Sequence, residues 1–209
     1  MISNFLTKIR LVHYILGISL IVSTVILNAN GKESKNKLLT AAEIIAHLNL
    51  QPLPEEGGYY RETYKSADTI QYHFTNDAST VIRAVSTAIY YMVLPDNFSA
   101  LHRIKQDEVY HHYLGESVEM LLIYPDGNHQ LITLGKNIAN GEQLQVVVPS
   151  GTWQGVKLSK RDSTGYALLG TTVAPGFEFD DFELANAEQL VEQYPRLKSL
   201  IHKYTKGHL

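Results

Sequence analysis

Residues 99–115, Ser-Ala-Leu-His-Arg-Ile-Lys-Gln-Asp-Glu-Val-Tyr-His-His-Tyr-Leu-Gly, crowd imidazoles, a carboxylate and phenols onto two segments that otherwise read as β-strands. In an extended strand alternate side chains share a face, so Glu108, Tyr110 and His112 point one way while Val109, His111 and Tyr113 point the other. One of those sets lines an interior. His102 lies six residues before Glu108, a separation that a short turn folds back so that the two meet across neighbouring strands. An imidazole beside a carboxylate can ligate a divalent metal or run general acid–base chemistry. In the metal-free version His102 abstracts a proton beside a carbonyl, Glu108 orients the imidazole, and Tyr110 returns a proton on another face. A buried ion pair that pins two strands is the plain structural alternative.

Several other side chains have two uses open to them. Arg61 and Arg103 can meet an anionic ligand group such as a phosphate or carboxylate, or pair with Glu62 and Asp107. Trp153, the only tryptophan, follows a Pro-x-Gly turn and serves either as core or as a stacking wall for a ligand ring. Phe177, Phe179 and Phe182 alternate with acidic residues and read as an edge segment closing over apolar surface, in the core or in a dimer contact. His111 reads as solvated or packed rather than as a ligand.

These residues need a rigid frame, and 209 residues supply one domain with a sizeable core. Short runs at 59–64, 70–74, 87–94, 108–114, 117–124, 129–134, 144–148 and 166–173 read as strands, each bounded by Gly, Pro, Asn or Asp. With no long helices between them, they predict an antiparallel sandwich or barrel rather than alternating βαβ units. Thr40 with Glu43 forms a capping-box pattern for a short helix through Leu48, ended by Pro52 and Pro54. The tail over 184–204 is helical in pattern, with Leu190, Val191, Leu197, Leu200 and Ile201 facing the sheet and Pro195 splitting it.

Composition excludes some functions. The absence of cysteine rules out disulfides, thiolate nucleophiles and Cys-ligated zinc, and a net charge of -3 with scattered Lys and Arg argues against nucleic acid. The N-terminus is a separate unit. Lys8 and Arg10 precede an apolar run over 11–27, and Ala29 and Gly31 resemble a cleavage site. Residues 1–31 are therefore expected to be a signal peptide or a membrane anchor, 32–37 a linker and 38–209 the domain. Export to the periplasm or cell exterior, or anchoring to the membrane by this segment alone, follows from that expectation.

His102, Glu108 and Gly115, followed by Pro149-Ser150-Gly151 and Gln154, resemble the two-part cupin signature. More specifically, Glu56-Gly57-Gly58-Tyr59, Ser99-Ala100-Leu101-His102-Arg103, Asp107-Glu108, Val148-Pro149-Ser150-Gly151-Thr152-Trp153-Gln154 and Ala174-Pro175-Gly176-Phe177-Glu178-Phe179 resemble the cupin family of DUF985, cupin type 5. The resemblance implies an all-β, antiparallel jelly-roll β-barrel with short N- and C-terminal helices, a ligand pocket inside, and pairing into homodimers. It implies no particular reaction. Metal-binding cupins supply His-x-His and Glu from the first motif and a His from the second, whereas Ala100 and Gln154 stand at two of those places here. The expected metal set shrinks to His102, Glu108 and the weak donor Gln154, with His112 or His111 available to complete it. The cofactor is thus one divalent transition metal or none. Three functions remain in view: an isomerase or epimerase acting on a sugar-like molecule, a binding or sensing module for a small ligand, and a metal-dependent enzyme. Candidate ligand contacts are Arg61, Arg103, His112, Trp153 and Gln154.

Overall fold

Short alternating strands build two antiparallel sheets in the computed structural model, which describes residues 39–74, 80–160 and 165–206, all within the unit Leu39–Leu209. The strands are β1 (Gln51–Pro52), β2 (Tyr59–Lys65), β3 (Thr69–His73), β4 (Thr80–Ala84), β5 (Thr87–Val93), β6 (Ser99–Ile104) and β7 (Asp107–Gly115). They continue with β8 (Val118–Ile123), β9 (His129–Leu134), β10 (Gln145–Val148), β11 (Trp153–Leu158), β12 (Ala167–Ala174) and β13 (Phe182–Leu184). One sheet runs β1-β2-β5-β12-β7-β10 and the other β13-β6-β11-β8-β9, while β3 and β4 form a separate hairpin. This is the expected antiparallel cupin jelly roll.

Period-2 alternation decides what each face does. On β7, Glu108, Tyr110 and His112 are buried while Tyr113 and Leu114 are exposed. Inward residues of both sheets, including Val93, Val118, Met120, Leu122, Val146, Val156 and Leu169, form the core that fills part of the barrel. The outer face of the five-stranded sheet is covered by helices α2 (Ala187–Gln193) and α3 (Lys198–Tyr204), whose Leu190, Ile201 and Tyr204 pack on Leu101, Leu121, Ile123 and Trp153. Gly155 allows close packing there, with the Tyr204 ring and Leu101 resting against its Cα. On the outer face of the six-stranded sheet, Ile44 of helix α1 (Ala41–Leu48) and Leu50 meet Met92 and Leu168.

Local signals explain the helix ends. Thr40 and Glu43 make the predicted capping box, with Glu43 N donating to Thr40 Oγ1 at 3.2 Å and Thr40 N to Glu43 Oε2 at 2.8 Å. The helix stops at Asn49 in the left-handed region (φ 51°), before either proline acts. The C-terminal helix begins later than expected, because Leu184 still pairs with His102 in a strand and Asn186 caps α2 by accepting from Gln189 N at 3.0 Å. Pro195 does split it, through a 3-10 turn Pro195–Leu197. The export or anchor segment and the linker lie outside the described residues. Among the described residues no helix is long and apolar enough to cross a membrane.

Candidate functional site in the barrel cavity

A cavity of about 660 Å³ opens between the two sheets, beside the core cluster. It takes His102 and Ile104 from β6, Glu108 and Tyr110 from β7, Thr171 and Val173 from β12, Tyr91 from β5 and Tyr60 and Glu62 from β2. The loop before β2 adds Glu55 and Glu56, and the segment after β12 adds Phe177, Phe179 and Phe182.

His102 and Glu108 do not meet on neighbouring strands as their spacing had suggested, because β6 and β7 belong to different sheets. They face each other across the interior. Gln154 links them: it sits opposite His102 in the β6–β11 ladder, and its Nε2 donates to Glu108 Oε2 at 2.7 Å. Glu108 is therefore held by Gln154, and also by Thr171, rather than orienting the imidazole. The His102 ring, 3% exposed, is fixed by other groups. Its Nδ1 lies 2.8 Å from the Ala100 carbonyl, which can only accept, so Nδ1 carries the hydrogen and Nε2 keeps the lone pair in the neutral ring. Phe182 stacks on the ring at 5.2 Å between centroids.

Glu56 is the residue that sequence reasoning missed, although it opens the Glu-Gly-Gly-Tyr motif. It is buried, its Oε1 accepts from Ser99 Oγ at 2.8 Å, and the same oxygen lies 3.9 Å from His102 Nδ1. Its carbonyl accepts from Ala100 N at 2.9 Å, so the loop is stitched to β6 beside the histidine. Gly57 and Gly58 make that turn with φ of 104° and 71°, a conformation open to glycine. Tyr91 completes the clasp by donating to the Gly57 carbonyl at 3.0 Å.

Burial sets the proton inventory. Burial pushes the Glu108 carboxyl above its ordinary range, against the opposing pull of His102, Thr171 and Gln154. Burial, helped by the nearby Glu108 and Glu56 carboxylates, raises the Tyr110 and Tyr91 phenols well above theirs. The cavity thus joins a basic imidazole nitrogen to phenols that stay protonated. The Glu108 shift also has a stability sign. Its folded pKa is raised, so its stabilising share is full below the ordinary carboxylate pKa and is lost as pH rises through the raised value. Glu108→Gln is expected to flatten that decline, with a smaller fall in the urea midpoint between pH 4 and pH 8 than in the parent protein. An equal fall in both would refute the assignment.

The remaining candidates lie elsewhere. Arg61 points away from the cavity, since Tyr60 and Glu62 beside it point in, and its guanidinium rests over Tyr90 at 5.5 Å. Arg103 stacks over Trp153 at 4.5 Å, pairs with Glu183 and borders a second hollow of about 480 Å³ outside the barrel. Trp153 is core against the C-terminal helices rather than a cavity wall. His112 lies on the inward face but outside the cavity lining, its Nε2 2.9 Å from the Glu116 carbonyl. His111 is on the outer face, with its Nδ1 3.1 Å from Gln145 Nε2. Phe177, Phe179 and Phe182 close over the cavity.

The metal set does not fit. Among the described residues no three His, Cys, Asp or Glu side chains converge as an ion requires. Gln154, the third member expected, turns an N–H rather than an oxygen toward Glu108, and its own Oε1 is buried with no hydrogen-bond partner among the described residues. A cation between His102 and Glu108 would meet that N–H.

The comparisons bear on the family and the fold. The family model described as Cupin superfamily (DUF985) matches residues 42–185. The chain is 27% identical over 187 residues to the uncharacterized protein YML079W of Saccharomyces cerevisiae, a match that covers 78% of this chain and 90% of that protein. A hypothetical protein from Leishmania major superposes with a TM-score of 0.74 at 30% identity, over 81% of this chain and 100% of that one. Protein SO0799 from Shewanella oneidensis does so with a TM-score of 0.70 at 32% identity, over 81% and 99%.

Proposed function

The chain belongs to the DUF985 family of the cupin superfamily, and from that premise we propose that its barrel cavity binds a small sugar-like molecule and moves a proton on it, as an isomerase or epimerase does. The observation that carries this reading is the His102 ring. Its Nδ1 is tied to the Ala100 carbonyl, which leaves Nε2 as a base in a cavity shared with the protonated phenol of Tyr110. The cavity volume suits a small molecule, and its mix of aromatic faces with hydroxyl and carboxyl groups suits a polyhydroxylated one.

In this reading His102 Nε2 takes the proton from a carbon next to a carbonyl. The bonding pair moves into the carbon–carbon bond and the carbonyl π pair onto oxygen, giving an enolate. Tyr110 faces the intermediate as the acid, able to return a proton to the neighbouring oxygen or to the other face of the carbon. Glu56, 3.9 Å from Nδ1, stabilises the imidazolium formed on the way. Solvent then resets both groups.

The test is hydrogen exchange. The full chain is incubated in D2O with a panel of free aldoses, ketoses and amino sugars, and proton NMR follows loss of the C–H signal beside the carbonyl. Exchange that requires the protein supports the reading. Binding without exchange across the panel would overturn the catalytic part and leave a ligand-holding module.

A further inference from the structure

The charges lining the cavity are one-sided. Among the described residues four carboxyl groups, Glu55, Glu56, Glu62 and Glu108, share the lining with a single imidazole, and no Lys or Arg belongs to it. Three of the cations around it are already engaged. Lys65 is 2.6 Å from Glu178, Arg83 is 2.7 Å from Asp181, and Arg103 is 2.7 Å from Glu183. At the entrance the pattern sharpens. Glu55 and Glu62 are exposed there, and Phe179 is 62% exposed with its ring edge-to-face on Phe177 at 5.3 Å. The Phe179 ring is open there for a ligand to cover. Glu55 is also held in the left-handed region at φ 61°, rare for a residue with a side chain.

Resting on the proton-transfer reading only for the location of the site, we infer that the cavity's ligand carries a positive charge, a protonated amine or quaternary ammonium seated at the mouth against Phe177, Phe179 and Tyr60 with Glu55 and Glu62 beside it. Aromatic faces attract a cation through their quadrupole, and carboxylates add charge attraction. The same lining repels phosphate and carboxylate ligands, which meet no Lys or Arg among its described residues. An amino sugar combines this head with the body that suits the buried end.

Isothermal titration of the full chain with glucosamine, glucose and glucose 6-phosphate at low salt tests the charge on one scaffold. Glucosamine is expected to bind about tenfold more tightly than glucose, with the phosphate weaker still. In the Glu55→Gln/Glu62→Gln double variant the preference for glucosamine over glucose is expected to vanish. The inference is overturned if glucose 6-phosphate binds as tightly as glucosamine, if the double variant keeps the preference, or if glucosamine gives no saturable binding at millimolar concentration. Cation preference without any deuterium exchange would instead sink the catalytic reading and leave this one standing.

Discussion

His102→Asn is expected to lower protein-dependent deuterium exchange by roughly 10²- to 10⁴-fold, the range that a positioned general base supplies, while leaving the unfolding midpoint nearly unchanged. Asparagine suits the test because its Nδ2 takes the place of the ring Nδ1 and keeps donating to the Ala100 carbonyl. What disappears is Nε2. An alanine there would remove the donor as well and open a gap under Phe182, which stacks on the ring. Tyr110→Phe is the companion variant, since it keeps the ring in a buried position and removes only the hydroxyl. If His102→Asn exchanges as fast as the parent protein, the base lies elsewhere.

Arg83→Ala is expected to cost roughly 3–5 kcal/mol of stability, because it strips the partner from a buried carboxylate. Asp181 is 3% exposed and accepts from Arg83 Nε at 2.7 Å and Nη2 at 2.8 Å, a two-pronged pair that a lysine cannot reproduce. Gln106 Nε2, at 2.6 Å from Asp181 Oδ2, stays in place after the change but carries no charge. The pair fastens the segment bearing Phe177, Phe179 and Phe182 to the β3–β4 hairpin, so loss of ligand affinity should accompany loss of stability. Chemical denaturation measures the first and titration the second. The double variant Arg83→Leu/Asp181→Leu is expected to recover much of the loss by removing both charges. A cost below 1 kcal/mol for Arg83→Ala would mean that water, not Arg83, satisfies the carboxylate.

The strand alternation was readable because it depends only on neighbours in the chain. Glu108 and Tyr110 were placed on a common face by spacing alone, and the capping box at Thr40 and Glu43 is local chemistry. What sequence could not supply was which face of each other strand turns inward. Arg61 and Arg103 looked like ligand contacts, yet they fall on the outer face because their neighbours Tyr60, Glu62, His102 and Ile104 occupy the inner one. Trp153 left the cavity for a similar reason, since Gln154 took the inward position next to it. Strand β11 was not read as a strand. Trp153–Leu158 carries Gly155, whose place becomes intelligible only with the Tyr204 ring against it. Glu56 was hidden by its loop. Its role depends on Ser99 and His102, which are distant in the chain and adjacent in space.

Because His102 and Glu108 come from opposite sheets, the cavity exists only once those sheets have closed on each other, and any partly unfolded form with one sheet detached has no site to offer. Occupancy and global cooperativity are therefore linked. A molecule held between the sheets binds only the closed form, so its binding free energy adds to the free energy of complete unfolding rather than to the stiffness of one loop. Melting temperature becomes a direct gauge of cavity occupancy, readable before the chemistry of the ligand is known.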